Sequence, residues 1–233
     1  MNEESVELRP GAQAETEGEL SVIPLSVFRP DAAPRAVVLV GHGLGADRSH
    51  SSVRLPAEIL VERFGLAVVA PDLPRHGARK EGGTDPSEAW QTFWSSGGPA
   101  ALRDEWLRIL GFARERFAGA RAGYYGLALA THYGIVFLAN APQLGAAVLG
   151  LCGAEPEPKS AILHACAPRV RCPVHFLQKQ DDELQPRVAT DRLYAELGSP
   201  EKSLDSSPGR HADVTPESVA RACAFLAKQL AGV

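Results

Sequence analysis

The stretch Tyr124-Tyr125-Gly126-Leu127-Ala128-Leu129-Ala130-Thr131-His132-Tyr133-Gly134 decides how the chain is read. A mostly apolar run, Ala120 to Tyr125, enters it with the pattern of a buried strand. A turn of small residues follows. From Leu127 to Ala139 the apolar positions continue at helical spacing. A strand, a sharp turn and a helix are therefore packed into about twenty residues.

Gly126 and Ala130 flank position 128 in the frame of a nucleophile elbow, G-x-S-x-G. Gly126 takes the first glycine position and Ala130 the last, while Ala128 stands where that frame has serine. The frame is present without its reactive oxygen.

The surroundings of this stretch set the class. With 233 residues, 45% apolar and 22% charged, the chain can bury a sizeable core and is expected to form a single domain. The formal net charge is -4, and residues 1–19 hold six Glu against Arg9 alone. The other residues carry 22 acidic against 23 basic side chains. That near-neutral body argues against a nucleic-acid footprint, and no basic run suggests a membrane surface. No apolar stretch approaches the ~20 residues of a membrane span. No export leader is visible at Met1-Asn2-Glu3-Glu4, so a soluble, cytoplasmic protein is expected. Cys152, Cys166, Cys172 and Cys223 lack CxxC spacing and read as small buried thiols.

Val6 to Leu8 and Leu20 to Phe28 read as strands, joined by a turn at Arg9-Pro10-Gly11 and an exposed acidic loop, Ala12 to Glu19. Buried strands are expected at Ala36 to Val40, Leu66 to Ala70, Leu144 to Leu151 and Cys172 to Gln178. A further short one is expected at Ser203 to Asp205. Helical stripes occupy Leu55 to Phe64, Ala101 to Phe117, Lys159 to Cys166, Arg187 to Leu197 and Ser218 to Leu230. Between Leu73 and Pro99 regular signals vanish. This Gly-, Pro- and Ser-rich stretch, holding Trp90, Phe93 and Trp94, reads as a long lid-like loop (73–100) with at most a short helix. Alternating strands and helices imply an α/β fold: a mostly parallel central sheet with helices on both faces. Ligands then gather at the carboxyl ends of the strands. There the turns at Gly41-His42-Gly43, Pro71-Asp72, Gly126 to Ala130, Asp181-Asp182 and Gly209-Arg210-His211 should meet.

Five pieces in this order resemble the α/β-hydrolase superfamily, with small bacterial enzymes of the dienelactone-hydrolase-like and serine-esterase types the nearest in look. They are Gly41-His42-Gly43-Leu44-Gly45, Asp72-Leu73-Pro74-Arg75-His76-Gly77, the elbow, Asp181-Asp182-Glu183-Leu184-Gln185-Pro186 and Pro208-Gly209-Arg210-His211. The resemblance runs from about Leu20 to Leu230 and implies an α/β-hydrolase fold with a minimal lid. It implies hydrolysis of a small ester, lactone or thioester through an acyl-enzyme, with no cofactor and no metal. Position 128 would be the nucleophile, His211 the base and Asp182, four residues before Pro186, the acid that orients it. Backbone N–H groups of Leu44 and Leu129 would form the oxyanion hole. Gly43, Leu44, Trp90, Phe93, Trp94 and Leu129 are the expected pocket, with the three aromatics alternatively pinning their loop to the body, and a homodimer is left open. His42, His76 and Asp72 look structural. His132, one turn beyond Ala128, either approaches the pocket or is simply accommodated.

The departures are Ala128, Ala130 for the second elbow glycine, and Gln185 in the acid loop. Three explanations of Ala128 compete: an engineered Ser→Ala, a ligand-binding pseudoenzyme, or lyase or cyclase chemistry on the His211–Asp182 dyad alone. An elbow residue sits at positive φ, which costs a non-glycine residue ~1 kcal/mol or more. A chain released from catalysis gains by taking glycine there. Retention of the strained frame together with Asp182 and His211 therefore favours a replaced serine, and the chain as written is expected to be nearly inactive.

Overall fold

The computed structural model describes residues 1–9, 22–80, 82–141, 143–156 and 160–231. Eight strands form one sheet among them: β1 (Asn2–Leu8), β2 (Ile23–Arg29), β3 (Ala36–Gly41), β4 (Ala67–Pro71), β5 (Arg121–Gly126), β6 (Ala146–Gly150), β7 (Val174–Lys179) and β8 (Lys202–Ser207). Their spatial order is β1-β2-β4-β3-β5-β6-β7-β8. β2 is antiparallel to both β1 and β4, and every later pairing is parallel. The expected turn at Pro10-Gly11, the loop Ala12 to Glu19 and the residues Leu20-Ser21 lie outside the described residues.

The helices are α1 (Ser51–Glu58), continued by a π-helical turn over Ile59–Arg63, α2 (Pro86–Ser95), α3 (Gly98–Arg116), α4 (Leu129–Leu138), α5 (Ala161–Cys166), α6 (Arg187–Glu196) and α7 (Pro216–Leu230). They cover both faces of the sheet, which is why the central strands read as unbroken apolar runs. Side chains alternate along β3. Val37 and Leu39 enter the core that holds Trp106, Tyr124, Phe137 and Phe176. Val38 and Val40 enter the opposite one, with Val68, Tyr125, Val148 and Leu226. All four cysteines are free and buried. No helix among the described residues is long and apolar enough to cross a membrane.

The stretch from Leu73 to Pro99 is more regular than its composition suggested. A 3₁₀ turn spans Gly77–Arg79 and α2 fills ten residues beyond it. Asp85 caps α2, its carboxylate accepting the N–H groups of Ser87 (2.9 Å) and Glu88 (3.2 Å), and Pro86 occupies the first turn where no N–H is needed. Gly97, at φ 86°, makes the break before α3. The cap was legible as Asp85-Pro86-Ser87-Glu88, but surrounding glycines and serines masked it.

Candidate active site

The elbow forms where β5 meets α4. Ala128 has φ 54° and ψ -118°, a conformation that non-glycine residues enter only when the surroundings hold them there. Those surroundings are specific. The Ala128 N–H donates to the Gly150 carbonyl (3.0 Å), and its own carbonyl accepts from the Thr131 N–H (2.9 Å). Thr131 Oγ1 accepts the Gly150 N–H (2.9 Å) and lies within 2.8 Å of the carbonyls of Gly126 and Gly150, locking β5, β6 and α4 together. The Tyr124 hydroxyl donates to the Ala130 carbonyl (2.6 Å).

Close packing explains the small residues. A Cβ on Gly126 would stand 2.8 Å from the Ala130 methyl and its carbonyl oxygen, and one on Gly41 would stand 2.7 Å from that methyl. Ala130 therefore fits in the glycine position of the frame because both strands facing it present glycine.

His211 and Asp182 lie on neighbouring loops, after β8 and β7. His211 Nδ1 is 2.8 Å from Asp182 Oδ2 and 3.0 Å from Oδ1. The carboxylate is oriented from behind, Oδ1 accepting the N–H groups of Leu184 (2.9 Å) and Gln185 (2.8 Å). Its side chain is 1% exposed, against 17% for the imidazole. Asp181 turns away and accepts the Gly209 N–H (3.3 Å). Glu183 accepts the His211 N–H (3.0 Å), which lowers the Glu183 pKa below the ordinary value. Gln185, read as a mere departure from a sequence pattern, accepts the Gly153 N–H (2.8 Å) and ties the acid loop to the end of β6. Nothing in the sequence marked that contact, nor the Thr131 lock.

A cavity of about 580 Å³ brings Gly43, Leu44, Ala128 and His211 together. Leu55, Leu127, Leu151, Leu184 and Val214 supply most of its apolar wall, and His50, Ser51 and Ser52 a polar corner at the start of α1. Among the described residues no lysine or arginine lines it. Leu44 and Leu184 are 46% and 62% exposed, which places them at the mouth. Leu129, at the first position of α4, has an N–H with no intrahelical acceptor. Its side chain is buried and does not line the cavity.

Of the two roles open to the three aromatics, packing against the body is the one the geometry has. Trp90, Phe93 and Trp94 do not line this cavity. They lie on α2 and pack on α4: Trp94 stacks on Tyr133 (6.1 Å, 6°), Phe93 meets Tyr133 edge-on, and Trp90 and Trp94 both meet the His132 ring. A regular helix lays all three, partly buried, against the hydrophobic core, where a loose loop could have aimed them elsewhere. His132 is enclosed by them and by Cys152, whose Sγ is 3.4 Å from Nδ1. Burial lowers its pKa to about 4, against a hydrogen bond to the Ala128 carbonyl that acts the other way.

His42 has Nδ1 2.8 Å from the Gly43 carbonyl and accepts the Leu73 N–H on Nε2 (3.0 Å), so it is a neutral strut between the loops after β3 and β4. Burial holds its pKa at about 4. Buried Asp72 accepts the backbone N–H groups of Arg48 (3.0 Å) and Ala78 (2.8 Å) and pairs with the Arg48 guanidinium. His76 is held through the Pro74 carbonyl (2.8 Å). Among the described residues no group of three or more His, Cys, Asp or Glu side chains is placed to hold a metal ion.

This strand order, with a strained turn leaving β5 and the acid and histidine on the loops after β7 and β8, is the α/β-hydrolase fold. Solved structures agree. The chain is similar to a cold-adapted esterase from an Arctic intertidal metagenomic library, at 28% identity over 98% of this chain and 94% of that one, with a TM-score of 0.84. It is also similar to a dienelactone hydrolase from Anabaena variabilis (17% identity, 98% and 96% covered, TM-score 0.68). A third is Est1E from Butyrivibrio proteoclasticus (15%, 90% and 96% covered, TM-score 0.69). The last two bear on the fold alone. No family model matches the chain, and no curated protein matches it in sequence.

Proposed function

We propose that the chain is the scaffold of a serine-type carboxylic ester hydrolase in which alanine stands at the nucleophile position. The observation that carries this reading is Ala128, at φ 54° and ψ -118°, sharing a cavity wall with His211, whose Nδ1 lies 2.8 Å from Asp182. A serine at 128 would turn its hydroxyl to the imidazole. With Nδ1–H donated to Asp182, His211 keeps Nε2 as an acceptor, takes the serine proton as Oγ attacks, and returns it to the leaving alcohol or thiol. The N–H groups of Leu44 and Leu129 stabilise the oxyanion that forms on the tetrahedral carbon. Water then cleaves the acyl-enzyme by the same route.

The apolar wall, with no lysine or arginine among the described lining residues, suits a neutral ester, lactone or thioester of small to medium size. Leu44, Leu55, Leu151 and Leu184, rather than Trp90, Phe93 and Trp94, would contact it. Without an oxygen at 128 the chain forms no acyl-enzyme, and loss of a triad serine costs on the order of 10⁶ in kcat. The alanine itself favours one second reading, a protein that binds such a ligand without cleaving it. Ala128→Ser assayed on p-nitrophenyl esters of short and medium acyl chains separates the two. Hydrolysis that appears with the serine and is lost on adding His211→Ala supports the enzyme. Ester affinity with no turnover in the serine variant supports the binding protein.

A further inference from the structure

A second cavity, of about 400 Å³, opens at the opposite edge of the sheet, where β5 and β6 begin and where Arg171-Cys172-Pro173 leads into β7. Its lining includes Arg114, Arg121, Arg171, Gln143 and Gln229, and among the described residues no acidic side chain. Among the described residues none of the three guanidinium groups forms an ion pair with a carboxylate. Other arginines do so readily: Arg103 with Asp104, Arg116 with Glu4, Arg221 with Asp205. The carboxylate tied to a lining residue is that of Glu201, which accepts from the Gln229 amide (2.5 Å).

Basic residues near a helix C-terminus ordinarily answer the helix dipole, and Arg114, in the last turn of α3, fits that account. Arg121 and Arg171 do not. Arg121 opens a strand, and Arg171 precedes β7, with one of its N–H groups donated to the Gly198 carbonyl (3.2 Å). Three like charges facing one concavity, in a chain of net charge -4, leave a place for a counter-charge that the described residues do not supply. Guanidinium forks match the paired oxygens of phosphoryl and carboxylate groups, and the two glutamine amides add neutral donors.

We propose that this groove binds a small multivalent oxyanion, of the phosphoryl or polycarboxylate class. The site is separate from the ester cavity and its occupancy does not depend on the hydrolase reading. β5 joins the two places, running from Arg121 at the groove to Gly126 at the elbow.

Calorimetric titration of the full chain with pyrophosphate and, separately, with citrate tests the proposal at constant ionic strength. Saturable binding of one anion per chain is expected, and Arg121→Gln should weaken it about tenfold or more, the loss of one charge-assisted hydrogen-bonding partner. Arg114→Gln should act in the same direction, while Arg103→Gln, at a paired arginine elsewhere, should leave it unchanged. Which anion binds more tightly distinguishes the phosphoryl from the carboxylate source. Arg114 and Arg121 are exposed, so both variants should fold, with unchanged circular dichroism as the check. No saturable heat up to about 10 mM of either anion, or binding indifferent to Arg121→Gln and Arg114→Gln, overturns the proposal.

Discussion

Replacing Ala128 by glycine should stabilise the fold, and the size of the gain follows from the elbow. At φ 54° and ψ -118° the alanine methyl crowds its own backbone, a strain of about 1–3 kcal/mol for a non-glycine residue. The Gly150 and Thr131 contacts prevent the chain from relaxing out of it. Glycine removes the strain but gives the unfolded chain more freedom, which costs about 0.4–1 kcal/mol. Loss of a half-buried methyl costs a few tenths more, about half the value of a fully buried CH₂. A net gain near 1 kcal/mol remains, or about 2–4 °C in Tm for a domain of this size. Serine at 128 keeps the strain and should lie within about 0.5 kcal/mol of the alanine chain. Urea unfolding followed by tryptophan fluorescence measures all three, provided the m-value is unchanged. Ala128→Gly less stable than the alanine chain by more than about 0.5 kcal/mol would mean that the elbow stores less strain than its backbone angles imply, and the case for a retained catalytic frame would fail with it.

Two further outcomes follow from His42 and His132 and from α2. His42 and His132 have native pKa values near 4 and an ordinary value of 6.5, so between those limits the unfolded chain binds more protons than the folded one. Stability should be full above about pH 6.5 and fall as the pH drops towards 4, by about 2 kcal/mol per histidine at pH 5. Urea midpoints at pH 7.5 and 5 measure this, and a flat profile would contradict the burial of both rings. In α2, Trp94→Ala removes a partly buried ring stacked on Tyr133 and should cost about 1–3 kcal/mol of stability, less than a fully buried tryptophan would. In an Ala128→Ser background below its melting temperature it should leave KM within about twofold, and a large rise in KM would return Trp94 to the substrate pocket.

The sheet and most of its helices were legible because central strands covered on both faces carry unbroken apolar runs, while helices carry a stripe. Ala36 to Val40 and Leu66 to Ala70 read almost to the residue. The approach of His211 to Asp182 was legible for another reason: strand ends in a parallel sheet share one edge, so residues far apart in sequence meet there. What the sequence left open was orientation. Trp90, Phe93 and Trp94 were visible as large apolar groups, but only the helix started by Asp85 and Pro86 turns them onto Tyr133 and His132. Leu55 and the polar corner at His50 reach the cavity beside Ala128 through the placement of α1, which periodicity does not encode. Thr131 looked like an ordinary helical residue, and its role as a lock arises from the carbonyls around it.

Intact-mass measurement after treatment with a fluorophosphonate tests the central claim most directly, because that probe reacts with a serine only when a base and an oxyanion hole are already aligned on it. The Ala128→Ser chain should gain one adduct, mapped to residue 128, while the alanine chain and the Ala128→Ser/His211→Ala pair should gain none. An Ala128→Ser chain that folds normally and stays unlabelled would contradict the account.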